Sequence, residues 1–284
     1  MYDAAIIGTG PGGFSAAITL KMRGKEIIWF GSGLLSAKVG KSEKIGNYPG
    51  VGMITGEELN KRFLEHAEAL GLQITDKMVT TVSRLEDHFM LLAENEVYEA
   101  KTVLLATGVV TAKSYPGEER LLGRGVSYCA TCDGMFYKGK TIAVFCGSKR
   151  YEHEAAYLAE IAKKVYLFPA YKDVDLKAEN VEIVSGAIRE VAGEQRVSAV
   201  RLADGSEIAV DGFFCLRNAI APSTLLPGLA LDGPHIVTDR TMATNIPGCY
   251  AAGDCTGRPY QIAKAVGEGN VAAHAMLDEL AEAQ

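Results

Sequence analysis

The sequence predicts an α/β protein with two nucleotide-type domains, and three observations predict it. The segments "DAAIIGTGPGGFSAAITLKMRGKEIIWF", Asp3 to Phe30, and "KTIAVFCGSKRYEHEAAYLAEIAKKVYLF", Lys140 to Phe168, share one layout. Each runs from apolar, β-branched residues through a turn and an Ala-rich helical stretch into a second apolar run. Strand–helix–strand over about 30 residues is the βαβ unit of a doubly wound, three-layer Rossmann-like fold. The first copy also carries Gly8-x-Gly10-x-x-Gly13 between its strand and its helix. With 284 residues, 48% of them hydrophobic, the chain is long enough for two domains.

In the first copy, Gly8 permits a tight turn, Gly10 lets backbone approach a pyrophosphate, and Gly13 lets the helix pack closely on its strand. The second strand ends at Trp29-Phe30-Gly31, without the acidic residue expected to hold a ribose. Leu59, Phe63, Leu64, Ala67 and Leu70 recur at helical spacing and predict an amphipathic helix from Thr55 to Leu70, with those residues in the core. In the second copy, Cys146, Ser148 and Tyr151 stand at the three glycine places. A side chain at the second place takes the volume of phosphate oxygens, and a tyrosine at the third pushes the helix off its strand. Lys149 and Arg150 nearby offer positive charge to a phosphate. The tail, "GCYAAGDCTGRPYQIAKAVGEGNVAAHAMLDEL", reads as a strand ending at Gly253-Asp254, a loop and a long helix.

A net charge of −6 and the lack of a long basic run argue against a general nucleic-acid binder. No apolar stretch approaches the roughly 20 residues needed to span a bilayer. The first residues run straight into a strand without a signal-peptide layout, so the expected location is cytoplasmic. Six cysteines occur, and only Cys129 and Cys132 are close, as Cys-x-x-Cys. Spacings for a disulfide scaffold, a zinc site or an iron–sulfur cluster are missing, which leaves redox chemistry for the pair. His66 and His153 lie on helical stretches and read as surface or packing residues. Cys249 and Cys255 read as small buried apolar residues, and Trp29 reads as packing.

GTGPGG near the start, NYPG at 47–50, ATG at 106–108, CATCDG at 129–134 and AAGDC at 251–255 together resemble the low-molecular-weight thioredoxin reductases, over nearly the whole chain. The resemblance implies an FAD-binding domain of residues 1–112 and 235–284, with a smaller redox-disulfide domain of 113–234 inserted. It implies that Gly8, Gly10, Pro11, Gly12 and Gly13 cradle the pyrophosphate. Asn47 would lie near the isoalloxazine ring, Thr107 and Gly108 would close the nucleotide side, and Gly253 and Asp254 would hold the ribityl or pyrophosphate end. Gln261 and Ile262 would lie beside the flavin ring. Cys129 and Cys132 would form the redox disulfide, with Cys132 facing the flavin and Cys129 attacking thioredoxin. A helix starting after the pair would lower a thiolate pKa, and Asp133 would be the general acid for the leaving thiolate.

The chain departs from that family where NADPH should bind. The glycine turn reads Cys146-Gly147-Ser148, and the place of the His-Arg-Arg cluster reads Pro169-Ala170-Tyr171. This degenerate NADPH site is similar to that of the ferredoxin-dependent flavin thioredoxin reductases. That branch implies a reduced ferredoxin, or a flavodoxin, as donor and thioredoxin or a thioredoxin-like protein as acceptor, in a homodimer. Two other readings stay open: an NADPH-dependent enzyme using Lys149 and Arg150, and a flavin-bearing redox sensor without turnover. Near the cofactor, the family's Gly-Gly-Gln-Leu reads Ser36-Ala37-Lys38-Val39, so Lys38 takes a glutamine's place, and Tyr-Arg-Gln reads Tyr260-Gln261. Lys38, Lys41 and Lys44 form a basic cluster, read either as a docking patch for an acidic ferredoxin or as a solvated loop.

Overall fold

The computed structural model describes residues 1–33, 35–94, 96–109, 114–217 and 220–282. Contacts divide the chain into two compact units, residues 1–111 with 222–284, and residues 112–221. The expected boundary at 112/113 lies outside the described residues.

The first unit begins with β1 (Tyr2–Ile7), α1 (Pro11–Met22) and β2 (Ile27–Phe30), the predicted βαβ. A short α2 (Ala37–Gly40) and α3 (Gly56–Ala69) follow. Thr55 caps α3 by accepting the Glu58 N–H, and Leu59, Phe63 and Ala67 are buried on its inner face, as the spacing predicts. Then come β3 (Ile74–Thr75), β4 (Val79–Arg84), β5 (Phe89–Ala93) and β6 (Glu96–Leu105). Strands β3-β2-β1-β6 are parallel, while β5 and β4 continue antiparallel from the first half of β6.

The second unit holds β7 (Val126–Ser127), α4 (Ala130–Asp133), β8 (Thr141–Cys146), α5 (Glu152–Ile161) and β9 (Lys164–Pro169). It continues through β10 (Val181–Ile183), β11 (Ile188–Ala192), β12 (Ala199–Leu202), β13 (Glu207–Ala209) and β14 (Gly212–Leu216). Its parallel sheet has the order β10-β9-β8-β14-β7, and β11-β12-β13 form a separate antiparallel sheet.

The chain then returns to the first unit through α6 (Pro222–Leu225), β15 (Leu231–Asp232), β16 (His235–Ile236), β17 (Cys249–Ala251) and α7 (Ile262–Glu282). Strand β17 pairs in parallel with the second half of β6. Helices α1 and α7 meet backbone to backbone, since a Cβ on Gly269 would stand 2.0 Å from Gly12 O. The inserted unit therefore closes at 221, not at the expected 234. Residues 222–234 carry out first-unit hydrogen bonding: Asn245 accepts from Ala230 N and donates to Gly228 O, both at 2.8 Å. No helix among the described residues is long and apolar enough to cross a membrane.

Candidate active site

Gly8 follows β1 at φ 119°, where a side chain is strained, and a Cβ there would meet Ala106 O at 2.1 Å. A Cβ on Gly13 would stand 2.0 Å from Gly8 O, so helix and strand touch only because Gly13 is bare. Gly10 has nothing within 4 Å of such an atom, which leaves its backbone open to an approaching phosphate. Pro11 opens α1, where its missing N–H costs nothing. Gly12 lies against Ala252 and Ala265, bringing the first turn beside the loop after β17. Trp29, 1% exposed, donates from Nε1 to Gly8 O at 2.9 Å. It packs, as read, and also ties down the turn.

After β6, Gly108 adopts φ 68°. The Thr107 hydroxyl oxygen is buried without a protein partner. Gly253 at φ 92° precedes the single turn Asp254–Thr256. Asp254 pairs with Lys38, whose ammonium also lies 4.8 Å from the Tyr260 ring centroid. Asn47 donates to the Gln261 side-chain oxygen at 2.7 Å, one residue before Ile262 opens α7. Four of the residues read from the sequence, Lys38, Asn47, Asp254 and Gln261, are thus cross-linked in two pairs.

Two residues that the sequence reading missed hold this loop. The Lys264 ammonium donates to Gly253 O (2.7 Å), Thr256 Oγ1 (2.7 Å) and Gly257 O (2.9 Å) and pairs with Glu268. Glu268 in turn accepts the Gly253 N–H at 2.8 Å. Their signal was an i,i+4 Lys–Glu pair just beyond the GDC motif.

In the second unit Cys129 and Cys132 are joined as a disulfide with 5.4 Å between Cα atoms. The helix starts between the two cysteines rather than after the pair. Cys129 is the N-cap of α4, and its sulfur accepts the Cys132 N–H at 3.1 Å. An N–H so placed lowers the energy of a thiolate at that sulfur. Asp133 ends the same turn, half-buried, with its N–H on Cys129 O at 3.4 Å. The remaining cysteines are free and buried. Burial pushes Cys249 up to about 12 and Cys255 up to about 11, which makes both inert. Among the described residues no cluster of histidine, cysteine or carboxylate side chains is arranged to hold a metal.

The second turn is filled. Cys146 ends β8 fully buried and Tyr151 is 7% exposed. Glu152 is the first residue of α5, where the helix dipole favours an anion. Its carboxylate accepts the Tyr171 hydroxyl at 2.8 Å and the Asp175 N–H at 3.1 Å. Lys149 pairs with Asp175 at 2.6 Å. Sequence reading missed Glu152, although a carboxylate at the first helical position after such a turn is visible there.

A dinucleotide cradle and a Cys-x-x-Cys disulfide on this fold define a flavin–disulfide oxidoreductase. The family model for pyridine nucleotide-disulphide oxidoreductases matches residues 2–269. A thioredoxin reductase of Listeria innocua is 32% identical across 100% of this chain and 96% of its own length. A ferredoxin-flavin thioredoxin reductase from Clostridium acetobutylicum matches at TM-score 0.91 and 43% identity, over 99% of this chain and 98% of that one. A thioredoxin reductase from Gloeobacter violaceus matches at TM-score 0.80 and 26% identity, over 99% and 94%. The chain belongs to the pyridine nucleotide-disulphide oxidoreductases and, within them, to the thioredoxin reductases.

FAD is the dinucleotide of this family, and the residues present fit it: an open Gly10 backbone and an orphaned, buried Thr107 hydroxyl. Gly13→Ala would drive a methyl group into the Gly8 carbonyl. It is expected to lower the flavin retained per chain on purification, read from visible absorbance against protein content.

Proposed function

We propose that this chain reduces a thioredoxin-type disulfide with electrons from reduced ferredoxin, by way of FAD and the Cys129–Cys132 disulfide. The observation that carries this reading is the second turn. The start of α5, where such a βαβ unit receives a phosphate, instead carries the Glu152 carboxylate, itself bound by Tyr171 and Asp175. A pyrophosphate brought there meets like charge, and Lys149 is already paired with Asp175. The similar Clostridium structure is named for ferredoxin and flavin, which supports the same donor here. The exposed Lys41 and Lys44, on the loop beside Lys38, offer an acidic ferredoxin a complementary surface.

Bound FAD supplies the exchange between single-electron donors and a two-electron disulfide. The drive is favourable, since plant-type ferredoxins lie near about −400 mV and thioredoxin near about −270 mV. With ~30 mV worth ~1.4 kcal/mol for two electrons, that difference is about 6 kcal/mol downhill.

Two electrons and one proton break the Cys129–Cys132 bond and leave the Cys132 thiol and the Cys129 thiolate. The Cys129 thiolate attacks a sulfur of the acceptor disulfide, forming a mixed disulfide and expelling one acceptor thiolate, to which Asp133 gives a proton. Cys132 then gives its proton back to Asp133, attacks Cys129 as the thiolate, expels the second acceptor thiolate, which takes a proton from water, and restores the internal disulfide. Cys129 is 8% exposed, so it must be uncovered before it meets a protein substrate. Met135 and Phe136, 56% and 73% exposed just past α4, offer that substrate an apolar face. Homodimer formation belongs to the same proposal.

Anaerobic mixing tests the donor. Reduced ferredoxin is expected to bleach the flavin rapidly and sustain thioredoxin reduction, whereas NADPH leaves the flavin oxidised. Bleaching by NADPH at the turnover rate would replace ferredoxin with the nicotinamide. Bleaching by ferredoxin without steady turnover would make the protein a sensor.

A further inference from the structure

A charged cluster lies buried in the second unit, outside the chemistry described so far. Glu118 is 0% exposed and Arg217 is 7% exposed, and the two form a salt bridge. The same Glu118 oxygen accepts the Tyr128 hydroxyl at 2.7 Å, and its other oxygen accepts the Tyr115 N–H at 2.8 Å. Arg217 Nε donates to Cys215 Sγ at 2.9 Å, and the guanidinium lies 5.8 Å from the Tyr115 ring centroid and 6.0 Å from that of Tyr128. Glu118 is delivered by the turn Tyr115-Pro116-Gly117-Glu118, in which Gly117 takes φ 87° and Glu118 N bonds Tyr115 O at 2.9 Å. That is the type II pattern, with Pro and Gly at its two central positions.

The location of the cluster is informative. Arg217 directly follows β14, and a Cβ on Gly147, after β8, would be 3.3 Å from Arg217 Cβ. The carboxyl ends of adjacent parallel strands form the crevice in which open α/β sheets bind their ligands. Here a buried cation fills that crevice, and its counter-charge reaches across to Tyr128, the residue before Cys129.

Burying an ion pair is a weak way to gain stability, because desolvation cancels most of the attraction. It does fix geometry, since a guanidinium fork and a carboxylate fit in few arrangements. Around Cys129 the chain is held at several points. β7 is laddered to β14 through Val126 and Ser127, and the Ser127 hydroxyl both donates to Cys129 O and accepts from Cys129 N, at 3.1 Å each. Tyr128 is in turn bound to a charge, the Glu118 carboxylate. Burial first, and then the Glu118 carboxylate, push its phenol far above the usual range, so it remains a neutral donor.

We propose that Arg217, Glu118 and Tyr128 are positioning residues for the redox disulfide. In this view the former nucleotide crevice has become a brace that keeps the Cys129 sulfur on the Cys132 N–H. This rests on the reading of Cys129–Cys132 as the redox pair. The brace keeps the Cys129 thiolate stabilised once the disulfide opens, and so favours the dithiol form.

The test uses the flavin-loaded protein in glutathione buffer, where the Cys129–Cys132 disulfide and two glutathione thiols exchange with the dithiol and glutathione disulfide. Tyr128→Phe removes one hydroxyl and leaves the ion pair. It is expected to shift that equilibrium toward the protein disulfide by about three- to tenfold, and to slow alkylation of the reduced Cys129 at neutral pH by a similar factor. If Tyr128→Phe does not fold, Arg217→Lys, which keeps the charge and loses the fork, carries the same expectation. An equilibrium and an alkylation rate equal to those of the wild type would overturn the brace while leaving the redox pair in place. A wild-type disulfide that does not exchange with glutathione would overturn the redox pair and the brace with it.

Discussion

Cys132→Ser is expected to reduce thioredoxin turnover to background while the protein stays folded and retains its flavin. The reason is the split between two sites in the chain. The cradle we assign to FAD, Gly8, Gly10, Gly13, Thr107 and the Gly253–Asp254 loop, lies entirely in the first unit, whereas the disulfide is held by α4 in the second. Removing one sulfur therefore leaves the residues assigned to the flavin unchanged, and breaks the disulfide that would carry the two electrons. Cys129→Ser is expected to do the same to turnover. The variants are distinguished by mixed disulfides: Cys132→Ser leaves Cys129 free to be trapped on an acceptor, because the resolving thiolate is gone. Turnover that survives in Cys132→Ser, measured with ferredoxin and thioredoxin under anaerobic conditions, would remove the pair from the mechanism.

Glu118→Gln is expected to lower stability by about 3–5 kcal/mol, the typical cost of leaving one member of a buried ion pair without its partner. Arg217 is 7% exposed and cannot recover hydration without unpacking the end of β14. Replacing both residues together, Glu118→Met with Arg217→Met, is expected to recover most of that loss, because two apolar side chains need no desolvation. Chemical denaturation followed by far-ultraviolet circular dichroism measures both. If the double variant is stable but its Cys129–Cys132 equilibrium stays displaced, the two effects of the cluster are separated: stability is replaceable and geometry is not. A single variant as stable as the wild type would mean that water reaches the pair.

Much of the fold was visible along the chain because its signals are local. Both βαβ units fall where the alternation of apolar runs and Ala-rich stretches put them, and α3 lies between its Thr55 cap and Leu70. The boundary after the second unit was misplaced by more than a dozen residues. Nothing in the stretch from Pro222 to Gly233 signals that its partners are Asn245 and β4. The helix at the disulfide was also displaced. A run of four residues is too short for periodicity, and its cap is a sulfur rather than a hydroxyl or carboxylate.

By itself the sequence determined what depends on neighbouring residues. It specified where glycines make the first turn permissive, where bulk closes the second, and which two cysteines are near enough to bond. Only the tertiary structure decided how the second turn is closed and what stands behind the disulfide. Glu152 meets Tyr171 across 19 positions, and Glu118 meets Arg217 across 99. Pairings at such separations depend on the burial and mutual orientation of strand ends, and these exist only once the sheets have formed.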